Sequence, residues 1–388
     1  MDQTSRHVTA RIVSMPAEGG PPPARIWGMT GAERLARALR RADATLDSNA
    51  AVLLRDDFIY DEVLIRALLA QPGVVLTADD GIAVAAHAPA GGAGVEETLR
   101  RGEVAAGLRA LDAVALASSY NKSLRKRAAP YLLRIGAMPP VAIERRMFDG
   151  AYKGVTDFVT KRVWPWPAFH ATRLCARLGI SPNAVTAVSL AFVLAAMALF
   201  WRGQFAAGLL CAWAMCFLDT VDGKLARVTL RSTPFGNVFD HGIDLIHPPF
   251  WYWAWYEGVM AQGTTGGGVD PTLMRLAFVL IIAGYVGGRL QEGLFTLLFG
   301  IEIHIWRPLD SWFREITARR NPNLFILTVA VILGAPGEGF VAVAFWTAFC
   351  FIFHTIRILQ AVLAKAMGRA PVSWLAEPIA PVSRPLAS

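Results

Sequence analysis

Phe217-Leu-Asp-Thr-Val-Asp-Gly-Lys-Leu-Ala-Arg227, read on through Gly236 to Asp240 and Asp244, sets four carboxylates beside strongly apolar sequence. Asp219, Asp222, Gly223 and Ala226 fall at i, i+3, i+4 and i+7, the spacing that puts all four on one face of a helix. Gly236, Asp240 and Asp244 repeat at i, i+4 and i+8 on a second. With those faces opposed, two pairs of acids converge where two glycines and an alanine let backbones approach. Such a cluster is a divalent-metal site.

Working outward, the 388 residues are 54% hydrophobic and 18% charged, with a mean hydropathy of +0.40. That is too apolar for a pair of soluble domains and reads as an integral membrane protein. The formal charge of +8 is assigned to cytoplasmic loops facing anionic headgroups rather than to nucleic acid, because no basic and aromatic binding motif accompanies it. Cys175, Cys211, Cys216 and Cys350 lack CxxC spacing, so neither a disulfide framework nor a zinc site is indicated.

Six apolar segments are read as membrane spans: 183–201, 205–221, 235–255, 274–298, 323–333 and 339–358. Ser181-Pro182-Asn183 opens the first and Ser232-Thr-Pro234 the third, each pairing a capping residue with a first-turn proline. Lys224, Arg227 and Arg231 follow the second span, Arg307, Arg314, Arg319 and Arg320 the fourth, and Lys365 and Arg369 the sixth. The loops 261–271 and 334–339 carry no Lys or Arg. By the positive-inside rule both termini and the acid cluster face the cytoplasm, in what we read as the plasma (inner) membrane. Ionised residues inside spans are costly and normally mark function. A salt-bridge network with Lys224, Arg227 and Arg231 is the alternative, but four acids exceed what those bases neutralise.

The expected fold is mainly α: a six-span helical bundle (183–370) preceded by an amphipathic interfacial segment (144–182) and followed by a tail (371–388). The segment interleaves Arg145, Arg146, Lys153, Lys161, Arg162, Arg173 and Arg177 with Phe148, Tyr152, Phe158, Trp164, Trp166 and Phe169. Residues 1–24 are polar and lack the apolar core of a signal peptide, which keeps the N-terminus cytoplasmic. Up to residue 143 a small soluble α/β domain is expected, its sheet largely parallel. Helices are placed at 31–44, 61–71 and 95–102, strands at 51–54, 74–77, 82–86 and 114–117. The basic run Tyr120–Arg127 suits either a solvated face or the membrane surface.

Trp27-Gly-Met-Thr-Gly-Ala-Glu-Arg-Leu35, Leu53-Leu-Arg-Asp-Asp-Phe-Ile-Tyr-Asp61 and the order of elements resemble a sugar- and inositol-phosphate nucleotidyltransferase domain. That family cradles its nucleotide with a glycine-rich loop and a following lysine, and Glu18-Gly-Gly-Pro-Pro-Pro23 has neither the spacing nor the lysine. The domain is therefore read as non-catalytic, with Asp56 and Asp57 in a strand-end turn.

Asp219-x-x-Asp222-Gly223-x-x-Ala226-Arg227, then Gly236-x-x-x-Asp240-x-x-x-Asp244, resembles the signature of the CDP-alcohol phosphotransferase family with no position departing. The similarity runs over about 150–365. It implies transfer of a substituted phosphate from a CDP-linked donor to an alcohol or alcohol phosphate, with CMP released. Oxygen ligands favour Mg²⁺ or Mn²⁺, two ions held by Asp219, Asp222 and Asp240 with Asp244 contributing. By resemblance, Asp244 is also the base, and homodimers are common in the family. Asp219, Asp222, Gly223, Ala226, Arg227 and Gly236 form the CDP side, Gly223 and Ala226 making room for cytidine and Arg227 meeting phosphate.

For the acceptor, Lys153, Lys161, Arg162, Arg231, Arg289 and Arg320 are the basic candidates. Arg289 and Glu292 interrupt the fourth span, as an acceptor site or as a mutual i, i+3 ion pair. His241 and His247 are read as packing residues. Two donors stay open: CDP-diacylglycerol, in phospholipid synthesis among membrane lipids, and CDP-inositol joined to an inositol phosphate. A lateral groove open to lipid favours the first, a closed polar pocket the second. A transporter or channel would need a continuous pore, yet Glu292 is the one acid deep in the later spans.

Overall fold

The computed structural model describes residues 8–15, 24–89, 94–263 and 268–376. The Glu18–Pro23 stretch and the distal part of the tail lie outside the described residues. Two compact units emerge. One comprises Met1–Tyr152 with Phe169–Ser181 and Lys224–Ser232, the other Lys153–Ala168, Pro182–Gly223 and Thr233–Ser388.

The first unit is built from β1 (Thr9–Val13), α1 (Gly31–Arg41), β2 (Thr45–Leu46), β3 (Val52–Arg55), β4 (Phe58–Tyr60), α2 (Glu62–Ala70), β5 (Val74–Thr77), β6 (Ala83–His87), α3 (Val95–Arg100), β7 (Arg109–Leu111), α4 (Ala113–Leu116) and α5 (Pro140–Gly150). Its main sheet has the order β2-β1-β3-β6-β5-β7. β1 runs parallel to β2 and β3, and β5 parallel to β7, but β6 is antiparallel to both neighbours. The sheet is thus mixed rather than largely parallel. The link from β5 to β6 is a short hairpin turn, and a turn that short closes only an antiparallel pair. The strand expected at 114–117 is instead the helical turn α4, because the Asp112 carboxylate accepts from Ala115 N and caps it. β1 lies within the polar stretch 1–24, where no strand is expected, and pairs along most of its length with β3.

Thr30 caps α1, accepting from Glu33 N while Glu33 Oε2 accepts from Thr30 N. The apolar stripe of α1, Leu35, Ala38 and Leu39, then buries against Val52, Leu54, Phe58 and Leu68. Asp56 and Asp57 sit in the turn between β3 and β4. There Arg55 is buried and pairs with Asp57 at 2.7 Å, while Asp56 Oδ1 accepts from Met15 N.

The second unit is helical. A π-helical turn (Val159–Val163) leads into α6 (Pro165–Arg177), whose later residues belong to the first unit. There follow α7 (Pro182–Trp201), α8 (Phe205–Val228), α9 (Pro234–Gln262), α10 (Pro271–Phe299), α11 (Pro308–Phe313), α12 (Arg320–Ile332) and α13 (Pro336–Ala366). All six segments read as spans are helices. Among the described residues, four of them, α7, α8, α10 and α13, are long and apolar enough to cross a membrane by length and composition. The third segment, α9, has the length but carries Asp240, Asp244, Glu257 and an internal Pro248-Pro249. The fifth, α12, has 13 residues, a rise of about 20 Å against a hydrocarbon core of about 30 Å.

Aromatic rings fix α7, α8 and α9 together. Phe200 packs on Trp251 and Trp255, and Phe205 on Trp255, with centroids 4.5–6.0 Å apart. Gln291 joins α10 to α13 by donating to Phe351 O and Thr355 Oγ1.

Candidate active site

Asp219 and Asp222 project from α8, and Asp240 from α9. One carboxylate oxygen of each lies within 4.8 Å of the others. The geometry comes from a close helix approach. Thr233 caps α9 by accepting from Gly236 N at 3.0 Å, and a Cβ on Gly236 would stand 2.4 Å from Asn183 Oδ1 of α7. No larger residue leaves Asn183 there. Asp222 is 3% exposed. Its Oδ2 accepts from Thr186 Oγ1 at 2.6 Å, and its Oδ1 is buried without a hydrogen-bond partner. Three carboxylates this close, one with an oxygen left over, suit a hard divalent cation.

Asp244 stands one turn further along α9, outside that group of three, and is tied to it through Arg320. The guanidinium of Arg320, the first residue of α12, donates to Asp219 Oδ2 and Asp244 Oδ1, each at 2.5 Å. Its planar fork is what lets one side chain hold two carboxylates on different helices.

The remaining predicted residues are dispersed. Gly223 follows Asp222 on α8, and Ala226 and Arg227 lie one turn further in the portion belonging to the first unit, as does the exposed Arg231. Lys161 pairs with Glu315 at 2.5 Å, Arg162 is exposed on the π-helical turn, and Lys153 is half-buried beyond α5. Arg289 makes the i, i+3 pair with Glu292 at 3.4 Å, yet that acid also takes Arg319 and, at 3.1 Å, His304 Nε2. Adjacent arginines thus serve two acidic sites: Arg320 holds Asp219 and Asp244, and Arg319 holds Glu292. His247 packs its ring on Trp251 with Nδ1 against Ile243 O, and His241 is largely exposed.

Sequence reading missed Thr186, Asn183, Arg319 and His304 as site residues. Thr186 lies one turn after Pro182 on the face that Ser189 and Val193 continue into the core, a spacing that was available as a signal. His304 offered none, because its approach to Glu292 depends on the fold back after α10. Two cavities flank these groups. An apolar groove of about 500 Å³ runs between α7 and α9, lined by Leu194, Met197, Val238, Gly242, Ile246 and Phe250 among others. A cleft of about 730 Å³ is lined by Arg289, Glu292, Thr296, Glu302 and His304.

Four helices long and apolar enough to cross a membrane, and an aspartate cluster on two long helices that could hold a metal ion, are the marks of an integral-membrane domain with an acidic site. Residues 179–291 match the model of the CDP-alcohol phosphatidyltransferase family. The chain is 29% identical over 130 residues to phosphatidylinositol phosphate synthase of Streptomyces avermitilis, covering 33% of this chain and 49% of the relative. It is 29% identical over 163 residues to the bifunctional IPC transferase and DIPP synthase of Rubrobacter xylanophilus, covering 42% and 34%. Against archaetidylinositol phosphate synthase of Pyrococcus horikoshii, identity is 40% over 79 residues, covering 20% and 42%. The chain therefore spans between a third and a half of the length of these curated relatives.

Proposed function

We propose that this protein transfers a substituted phosphate from CDP-diacylglycerol to the hydroxyl of a small alcohol or alcohol phosphate, releasing CMP, in phospholipid synthesis. The observation that carries the reading is the convergence of Asp219, Asp222 and Asp240, with the buried, unpartnered Asp222 Oδ1 among them. Asp219, Asp222 and Asp240 would hold Mg²⁺ or Mn²⁺, two ions on our reading with Asp244 contributing. Such ions, when bound, offset the charge of the donor's pyrophosphate and of the departing CMP. Thr186 fixes the Asp222 carboxylate. Arg227 binds donor phosphate, and Gly223 and Ala226 leave room for cytidine. Asp244, oriented by Arg320, takes the acceptor's hydroxyl proton. The acceptor oxygen then bonds to the phosphorus that carries the diacylglycerol as its bond to the CMP oxygen breaks.

The lipid donor is favoured by the groove between α7 and α9. Its walls are apolar, and its rim residues Leu194, Val238, Ile246 and Phe250 are exposed, as a channel for acyl chains requires. The groove shares α9 with Asp240 and Asp244. For the acceptor, we assign the cleft lined by Arg289, Glu292, Thr296, Glu302 and His304, where Arg289 is the one guanidinium that could meet a phosphate and the carboxylates suit an alcohol's hydroxyls. A soluble phosphodiester made from CDP-inositol is the second reading. Its support is the relative named as an IPC transferase and DIPP synthase, together with the α/β unit, which we read as non-catalytic. We place all six helices in the plasma membrane with the acids toward the cytoplasm, and expect a homodimer.

Membranes containing the protein, incubated with radiolabelled CDP-diacylglycerol or CDP-inositol, Mg²⁺ and a panel of alcohols, should release CMP with the lipid donor. Release with neither donor from folded protein would overturn the enzyme reading, and release with CDP-inositol alone would replace the lipid donor by the soluble one.

A further inference from the structure

We propose that the N-terminal α/β unit is a positioning partner of α8, clamping the end of the helix that carries the aspartate motif. α8 closes with Leu230 N donating to Arg227 O at 3.4 Å and Arg231 N to Ala226 O at 3.0 Å. That is the pattern of a C-terminal cap in which one residue turns left-handed. Glycine normally occupies that position because any Cβ is disfavoured there. Here it is Leu230, at φ 55°.

The side chain accounts for the choice. Leu230 is 6% exposed and inserts among Leu35, Ala38, Phe58, Tyr60 and Ile65, the core between α1, α2 and β4. Around it, α1 supplies the hydrogen bonds that the helix end lacks. Arg34 donates to Val228 O at 2.6 Å and Arg37 to Thr229 O at 3.2 Å. A third hold comes from α5, where Lys224 donates to Ala151 O at 3.1 Å and lies over the Tyr152 ring. Ala226 and Arg227, the residues we place against the donor, lie between these holds on the last turns of α8. A domain that had lost its own chemistry would still be retained for this.

The kinetic arm of the test rests on the transferase reading, and the exchange arm does not. If Leu230 were only a helix cap, Leu230→Gly would relieve the backbone and slow amide exchange over 224–230. The clamp predicts the opposite: exchange there rises about tenfold, since local opening loses its opposing contact. KM for the CDP-linked donor should rise severalfold with kcat little changed, and Leu230→Met should restore both. Should Leu230→Gly fail to fold, Arg37→Ala removes one donor without emptying the core and is read the same way. Slower or unchanged exchange overturns the clamp, and faster exchange with an unchanged donor KM overturns its positioning role. Absence of CMP release from the wild-type protein would instead count against the transferase reading, with exchange still deciding the clamp.

Discussion

At the scale of single residues, the proposed reaction separates the site into groups that hold and a group that reacts. Asp244 is the proposed base, so Asp244→Asn should lower kcat roughly a hundredfold or more while CDP-donor binding persists. Equal loss of binding would move Asp244 into the ligand set proper. Thr186 touches no substrate in this account, yet it is the hydrogen-bond donor to Asp222 Oδ2. Thr186→Val should therefore weaken Mn²⁺ affinity about 10–100-fold, as loss of a ligand's supporting hydrogen bond does, and a titration monitored by Mn²⁺ resonance reads it. Gly236→Ala places a methyl against Asn183 Oδ1 and should cost about 1–3 kcal/mol in thermal unfolding of the purified protein.

At the scale of elements, the pairing of α7 with α9 does two jobs. The end nearer the aspartates seats Gly236 on Asn183, bringing α9 close to α7, and further along the same helices part to leave the apolar groove. Gly242 lines that groove with nothing within 4 Å of where its Cβ would be. A Gly242→Leu variant should thus fold but narrow the channel, raising KM for long-chain CDP-diacylglycerol more than for a CDP-linked donor without acyl chains. Equal effects on both donors would remove the groove from the donor path. Much of this level was legible in advance. Helical spacing put Asp219 with Asp222 and Asp240 with Asp244, and capping residues marked the start of α9. Arg320 was legible as a basic residue after the fourth span and as an acceptor candidate, but not as the clasp of two aspartates, because its reach to both Asp219 and Asp244 depends on how α12 meets α8 and α9. In the α/β unit, apolar runs located β3, β5 and β6 but not the reversal of β6, which a five-residue turn dictates, nor α4, where one aspartate cap outweighed a short apolar run.

At the scale of the whole molecule, stability against acid tests the packing beneath the site. Burial pushes the Asp157 carboxyl up, but donation from Thr160 N and Asn321 Nδ2 outweighs it and holds the group below its ordinary range. A carboxyl depressed in the folded state stabilises the protein above its unfolded pKa and loses that contribution as pH falls through the folded one. The unfolding temperature should accordingly drop as pH falls below about 4, with a shallower acid limb in Asp157→Asn. An identical limb in the variant would assign acid sensitivity elsewhere. The central claim concerns the three aspartates, and Mn²⁺ binding by electron paramagnetic resonance addresses it directly. Wild-type protein should bind Mn²⁺ more tightly when the CDP-linked donor is present, and Asp222→Asn should lose that binding while remaining folded. Undiminished, donor-enhanced Mn²⁺ binding by Asp222→Asn would contradict the account.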